Sequence, residues 1–153
     1  MKYLSKPSST FLLVAFLLLL NNSSIFSQWN VIEEGNTRNK VCIADINTGW
    51  IVGDRGSIRK TTNGGENWII QTSGVTNTLS AVCFANLTTG WAIGNSGLII
   101  NTTDGGTNWS IQQSGTTNGL NNIFFADNNT GWIVGNSGII LKTTDGGTNW
   151  ITM

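Results

Sequence analysis

The sequence predicts an all-β protein made of β-propeller blades, each blade holding four short antiparallel strands. A unit of 41 residues occurs three times, because Gly49-Trp50, Gly90-Trp91 and Gly131-Trp132 follow one another at that spacing. Within each unit, short apolar runs alternate with Gly, Asn and Asp, and such runs are too short for helices and typical of strands. Four strands in about 40 residues is the spacing of a propeller blade.

The first 27 residues have the layout of a secretory signal peptide. Lys2 and Lys6 precede the apolar run 11–20, which at ~1.5 Å per residue reaches only about half of a ~30 Å hydrocarbon core. Polar residues 21–24 end the run. We predict cleavage after Ser27 and export to the periplasm, the cell surface or the medium. An uncleaved anchor and a buried core helix are the alternatives.

Residues 28–153 are therefore predicted to be the propeller segment. A leading outer strand is expected at 29–34, and the repeats at about 41–81, 82–122 and 123–153. In the second repeat the apolar runs 82–85, 91–93, 98–100 and 109–111 predict the four strands. The sequence Gly-Asn-Ser-Gly at 94–97 predicts a tight hairpin, because Gly and Asn tolerate positive φ.

The last turn of each unit carries a shared motif, TTDGGTNW in the second and third units and TTNGGENW in the first. We expect the Asp104 carboxylate to accept a hydrogen bond from the N–H of Gly106, as in an Asx-turn. Because Asn63 replaces Asp in the first unit, we expect a structural role rather than calcium or ligand binding. The repeated Trp residues are expected in the blade core rather than on a sugar-stacking platform. The predicted turn residues are Thr61, Asn63, Gly65, Trp68, Thr102, Asp104, Gly106, Trp109, Thr143, Asp145, Gly147 and Trp150.

This motif resembles the Asp-box, also called the bacterial neuraminidase repeat. The wider unit, GWxxGxxG ahead of TxDGGxxW, resembles the photosystem II assembly and stability factor-like propeller repeats. The resemblance covers nearly all of residues 29–153. It implies a propeller that serves in protein assembly or surface interaction rather than in catalysis.

Composition and charge exclude several classes of function. The charges cancel at eight basic and eight acidic residues, which leaves no basic field for nucleic-acid binding. The chain has no His and two Cys, which excludes His-based catalysis, imidazole metal ligands and a four-Cys zinc site. We therefore predict no metal site and no cofactor.

The resemblance to sialidases implies a Tyr nucleophile and three substrate-gripping Arg residues, and the sequence does not match it. The only Tyr is Tyr3, in the predicted signal peptide, and all three Arg residues fall between Arg38 and Arg59. No carboxylate pair is evident for a two-acid glycosidase mechanism. We predict that the protein is not an enzyme.

Cys42 and Cys83 occupy equivalent positions in the first two units, where the third has Phe124. This apolar substitution favours small buried residues over a disulfide. Export would permit a bridge, so that alternative stays open.

The first unit is the basic one, and no Lys or Arg occurs from Thr61 to Leu141. We name its basic residues as a candidate partner surface, with a solvated end of the array as the alternative. These residues are Arg38, Lys40, Arg55, Arg59 and Lys60.

The function predicted from the sequence is an exported, non-catalytic propeller module that binds an unknown protein or glycan. An assembly or chaperone protein like the photosystem factors is one alternative, and a sugar-binding remnant of a sialidase-like glycosidase is another. Three blades are fewer than the four to eight that close a ring. We therefore expect either part of a larger propeller or self-association that completes one.

Overall fold

A computed structural model describes residues 37–153, and the predicted signal peptide and leading strand 29–34 lie outside the described residues. Twelve strands in 37–153 form three four-stranded antiparallel sheets, which confirms the predicted all-β fold of propeller blades. The first sheet contains β1 (Arg38–Ile43), β2 (Gly49–Gly53), β3 (Ile58–Thr61) and β4 (Ile69–Gln71). The second contains β5 (Leu79–Phe84), β6 (Gly90–Gly94), β7 (Ile99–Thr102) and β8 (Ser110–Gln112). The third contains β9 (Leu120–Phe125), β10 (Gly131–Gly135), β11 (Ile140–Thr143) and β12 (Ile151–Thr152).

Each sheet is a meander whose strands pair in chain order. The first strands β1, β5 and β9 lie side by side and are the innermost ones. Two side chains link them: Asn39 Nδ2 donates to the Leu79 carbonyl at 2.8 Å, and Ser80 Oγ donates to the Leu120 carbonyl at 2.6 Å. The outer strands β4, β8 and β12 are the opposite edges of the sheets.

The alternating strand directions place two kinds of turn at opposite ends of the sheets. One end, here called the box end, carries the TTDGGTNW-type turns and the loops after β1, β5 and β9. The other end, the connector end, carries 3-10 turns at Asp54–Gly56, Asn95–Gly97 and Asn136–Gly138, together with the connectors 72–78 and 113–119. No helix within residues 37–153 has the length and apolar character to span a bilayer.

The core lies between the sheets, in two apolar layers. The layer between the first and second sheets is formed by Trp50, Val52, Ile58, Leu79, Val82, Phe84, Ala92 and Ile100. The layer between the second and third sheets is formed by Ala81, Trp91, Ile93, Ile99, Leu120, Ile123, Phe125, Ile133 and Leu141. The middle sheet is therefore covered on both faces, as runs apolar on both faces require.

The predicted hairpin at 94–97 is present, and Gly97 has the positive φ expected of a glycine, at 70°. The other positive φ, 60°, belongs to Ser96 rather than to Asn95, and Gly94 is extended at −165°. Gly94 is required for a different reason, since a Cβ there would overlap the carbonyl oxygen of Thr78. Close backbone approach therefore selects this glycine.

The glycine that ends each 3-10 turn provides a test of this packing. Gly97 and Gly138 both have positive φ, at 70° and 72°. A Cβ on Gly97 would overlap the Thr116 carbonyl oxygen, but a Cβ on Gly138 would meet no atom within 4 Å. We expect Gly138→Ala to cost about 1–2 kcal/mol from φ alone. We expect Gly97→Ala to lower the free energy of unfolding by a further ~1–3 kcal/mol, because its Cβ overlaps the Thr116 carbonyl oxygen.

The measurement is the free energy of unfolding of each variant in urea. Gly138→Ala is the matched control, because it makes the same substitution at the same motif position. Equal losses of stability in the two variants would contradict the role assigned to the Thr116 carbonyl.

Candidate functional site

Each of the second and third sheets receives a tryptophan from the sheet before it. The Trp50 ring stacks on Phe84 of the second sheet, with 3.5 Å between ring centroids and 9° between planes. The Trp50 Nε1 donates to the Gly105 carbonyl at 3.2 Å. Trp91 repeats the arrangement on the third sheet, stacking on Phe125 at 3.5 Å and donating to the Gly146 carbonyl at 3.1 Å.

The glycine of each Gly-Trp pair makes room for this contact. Gly90 lies opposite Phe84 in the β5–β6 register. A Cβ on Gly90 would come within 2.5 Å of the Phe84 ring, so only glycine lets the ring lie flat over β6. The edge of Phe84 is covered in turn by Trp109, at 6.0 Å and 90°.

The TTDGGTNW-type turn presents the carbonyl that the tryptophan reaches. The Gly106 N–H donates to the Thr102 hydroxyl at 2.9 Å, not to the Asp104 carboxylate as we expected. The Asp104 Oδ1 instead accepts from the Thr102 hydroxyl at 2.8 Å and from the Asn108 N–H at 2.9 Å. The threonine hydroxyl fits between the two groups because it both accepts and donates a hydrogen bond.

All three turns share these bonds. The Gly65 N–H and the Gly147 N–H each donate to the first threonine of their motif at 2.9 Å. In the first turn Asn63 Oδ1 replaces the carboxylate and accepts from the Asn67 N–H at 3.0 Å. The charged turns have a further bond to the carboxylate, since Asn108 Nδ2 donates to Asp104 Oδ2 at 2.8 Å.

These hydrogen bonds keep the turn carboxylates ionised. The backbone N–H of Asn108, with the Asn108 and Thr102 side chains, lowers the pKa of Asp104 to about 2. The side chain and backbone N–H of Asn149, with the Thr143 side chain, lower the pKa of Asp145 as well. A carboxyl with a lowered pKa is a poor proton donor at neutral pH, so these groups do not suit general acid catalysis.

A second Asx-type turn, which our sequence reasoning missed, lies beside each of these turns. Asp45 Oδ1 accepts from the Asn47 and Thr48 N–H groups at 2.8 and 2.7 Å. Asn86 and Asp127 make the same pair of bonds. These three residues also follow the 41-residue spacing, which could have revealed them.

A cavity of about 470 Å³ opens on the side of the first sheet that faces away from the second. Its lining at the box end repeats the tryptophan-receiving positions of the other sheets: Ile43 stands where Phe84 does, Trp68 where Trp109 does, and Gly64 where Gly105 does. Thr61, Gly65 and the loop residues 45–48 also line the cavity at this end. We call Ile43, Thr61, Gly64, Gly65 and Trp68 the socket.

The third sheet has the complementary surface. On the side of the third sheet that faces away from the second sheet lie the side chains of Trp132, Val134, Ile140 and Lys142. We call this surface the tryptophan face. Val134 and Ile140 are 45% and 42% exposed, whereas their counterparts Val52 and Ile58 are fully buried. Trp132 is half-buried, with Lys142 Nζ 5.5 Å from its ring centroid.

The five basic residues of the candidate partner surface lie in three places. Arg38 and Lys40 lie on the innermost strand and line the cavity. Arg55 is exposed in the 3-10 turn at the connector end, and Arg59 lies on the cavity side of β3. Lys60 lies on the opposite side of the sheet, where its Nζ donates to the Gly105 carbonyl at 3.0 Å.

Cys42 and Cys83 are free, half-buried thiols. The Phe84 N–H donates to Cys42 Sγ at 3.2 Å, and burial raises the pKa of both thiols. Across the described part of the chain, no group of three or more His, Cys, Asp or Glu side chains is arranged to hold a metal ion.

Comparisons with known proteins agree on one family. The family model described as photosynthesis system II assembly factor YCF48 matches residues 21–110 and 70–153. A solved structure described as YCF48 bound to D1 peptide is 27% identical with a TM-score of 0.70, covering 76% of this chain and 39% of that one. YCF48 from Cyanidioschyzon merolae is 28% identical with a TM-score of 0.67, covering 76% of this chain and 37% of that one.

A more distant structure is the GH74 enzyme of Niastella koreensis, at 18% identity and a TM-score of 0.60, covering 75% of this chain and 22% of that one. At that identity the similarity shows the fold alone. This chain thus spans less than half the length of each of these solved proteins. The search of curated proteins gives no match.

The turn carboxylates predict how stability changes in acid. A carboxyl whose pKa is lower in the folded state stabilises the fold above its unfolded pKa, and this contribution is lost as the pH falls through the folded pKa. For Asp104 the window runs from 3.8 down to about 2. We expect Asp104→Asn to flatten the fall in urea midpoint across this window, because it makes the second turn like the first.

The reciprocal variant Asn63→Asp is the matched control, and we expect it to steepen the same acid limb. Midpoints are measured at matched ionic strength from neutral pH to the acid end of the window. Parallel curves for both variants and the unsubstituted chain would show that the turn carboxylates do not carry the acid dependence.

Proposed function

Because this chain belongs to the family described as photosynthesis system II assembly factor YCF48, we propose that it is a non-catalytic module that binds a protein partner. The proposal has support from a family relative that was solved with a bound D1 peptide. It also has support from the carboxylates of the described turns, which are engaged in local hydrogen bonds that favour their ionised form.

The observation that carries this proposal is a basic corner on the first sheet, made of Arg38, Lys40 and Arg55. The Asp54 N–H donates to the Thr37 carbonyl at 3.2 Å, so the 3-10 turn with Arg55 lies beside the start of β1. Lys40 and Arg55 are both exposed. The single acidic neighbour in the turn, Asp54, accepts a hydrogen bond from the Thr78 hydroxyl at 3.2 Å.

Among residues 37–153, the two exposed cations of this corner, Lys40 and Arg55, outnumber the one anion in the turn, Asp54. Such a corner attracts an acidic segment of a protein partner and directs its approach. It also gives the interaction a salt dependence, because exposed charges are screened over about 10 Å at 0.1 M ionic strength. We propose an acidic, extended segment as the ligand class.

A sugar-binding role has less support. A stacking platform for sugars needs an exposed aromatic face. Trp50 and Trp91 are buried between sheets, and the half-buried Trp132 has Lys142 Nζ 5.5 Å from its ring centroid. An assembly role for the bound partner is the natural extension of the family description. That role concerns what happens to the partner after binding, so it depends on the binding proposed here.

We also propose that the protein is exported, on the strength of the charged start and short apolar run of residues 1–27. A reporter that is active only outside the cytoplasm, fused after Ser27, is expected to become active. Replacing Leu17 and Leu18 with Arg in the same fusion should abolish that activity. An inactive reporter with the unsubstituted leader would contradict export.

Binding is tested with fluorescein-labelled peptides of equal length that are acidic, neutral or basic. We expect the acidic peptide to bind best, and we expect its affinity to fall with added salt. The double variant Lys40→Asn/Arg55→Ser should weaken this binding about 10-fold, because each lost exposed ion pair contributes about 0.2–1 kcal/mol. Both replacements occur naturally at the same positions of the third unit, Asn122 and Ser137, so the fold is expected to tolerate them.

The matched control is Lys142→Asn, which removes a positive charge from the third sheet and installs the residue of the second unit, Asn101. We expect it to leave peptide affinity unchanged. Equal affinity of the double variant and the unsubstituted chain would sink the proposal. A positive glycan array with no peptide binding would do the same, in favour of the sugar-binding alternative.

A further inference from the structure

We propose that the socket of the first sheet binds Trp132 from a second copy of this chain, so that two copies associate head to tail. The socket and the tryptophan face are the two halves of a contact that the molecule already makes twice within itself. Each copy offers one of each, and a pair of copies can therefore make the contact twice.

The two internal contacts show what a filled socket contains. Trp50 and Trp91 insert between an aromatic ring and a turn carbonyl of the next sheet, and both are fully buried there. The carbonyl acceptors are Gly105 and Gly146. The socket has the same turn backbone, since the Gly64 N–H donates to the Asn47 carbonyl at 2.8 Å, as Gly105 does to Thr88 at 2.8 Å. The Gly64 carbonyl is thus the expected acceptor for Trp132 Nε1.

The tryptophan face also carries a second hydrogen-bond donor, equivalent to one in the first internal contact. In the first internal contact, Lys60 Nζ lies 5.1 Å from the Trp50 ring centroid and donates to the same Gly105 carbonyl as the indole. Lys142 stands at the position of Lys60 in the third unit and lies over Trp132 in the same way. The third sheet therefore presents the same pair of donors that the first sheet uses.

Apolar groups surround these polar ones on both partners. Ile43 is 62% exposed beside the cavity, and Val41 next to it is 50% exposed. On the tryptophan face Val134 and Ile140 are exposed to a similar degree. Exposed apolar patches of this kind mark interaction surfaces.

Closure follows from the number of sheets. A head-to-tail contact closes when its rotation fits a ring. The three sheets of residues 37–153 amount to six in two copies, within the four to eight that close a propeller. The socket lies at the box end of the cavity that Arg38 and Lys40 also line. The association test uses no peptide, so its failure is distinct from a failure of the peptide-binding proposal.

The first sheet departs from the others at two positions that point to informative variants. Ile43 replaces the phenylalanine of the other sockets, and Arg59 replaces Ile100 and Leu141 on the same face. We expect Ile43→Phe to tighten the association about 2- to 10-fold by restoring the aromatic stack on Trp132. Arg59→Ile should also tighten it, because the charge no longer has to be desolvated.

Sedimentation velocity of the purified chain over a concentration series measures the association. We expect a monomer–dimer equilibrium that Trp132→Ala weakens about 30-fold or more, as the loss of a central tryptophan does in protein interfaces. Ile43→Glu should weaken it to a similar degree from the other side. Ile111→Ala is the matched control, because Ile111 is equally exposed at 63% but lies on the outer strand of the middle sheet.

Mixing the two weakened variants distinguishes a head-to-tail contact, which joins two different surfaces, from a contact between identical surfaces. Trp132→Ala retains an intact socket and Ile43→Glu retains an intact tryptophan face. One full contact can therefore form between the two variants, and we expect the mixture to dimerise where neither variant does alone. Circular dichroism confirms that each variant is folded.

Three results would overturn the proposal. A chain that stays monomeric throughout the concentration series would mean that a different blade or partner occupies the socket. A dimer that survives both substitutions would place the interface elsewhere. Growth into polymers beyond the dimer would show that two copies do not close a ring.

Discussion

The structure depends on one contact, in which the indole of Trp50 or Trp91 enters the next sheet and donates to a turn carbonyl. Other residues that recur in the units support that contact. The glycine before the tryptophan makes room for the phenylalanine ring, and the threonine and aspartate shape the turn. The stacked pair contributes about 0.5–1.5 kcal/mol beyond the area it buries. The hydrogen bond satisfies an indole N–H that would otherwise be buried without a partner.

The fold could be predicted from the sequence because its signals are local and repeated. Short apolar runs between Gly and Asn clusters give the strands, and the 41-residue spacing gives the blades. The bonding inside the TTDGGTNW-type turn could not be predicted in the same way. The Thr102 hydroxyl and the Asp104 carboxylate are both able to accept the Gly106 N–H, and only the folded turn decides which of them does.

The candidate site could be predicted only in part, for a related reason. Trp50, Trp91 and Trp132 are equivalent in sequence, yet two are fully buried and the third is half-buried, because burial depends on the neighbouring sheet. Arg59 and Lys60 are adjacent in sequence but lie on opposite sides of β3, since side chains alternate along a strand. A cluster of charges in a β sequence is therefore divided between two surfaces by the fold.

The near identity of the second and third units has a consequence for how the chain assembles. In the second and third sheets, the positions equivalent to the socket hold the same residue types. Either sheet can therefore accept the tryptophan of any preceding sheet. Interface chemistry therefore does not specify the order of the sheets, and the seven-residue connectors 72–78 and 113–119 must do so by their length. During synthesis, when several chains are close together, equivalent sheets from different molecules compete for one place, and exchange of whole blades is the characteristic misfolding route of such arrays.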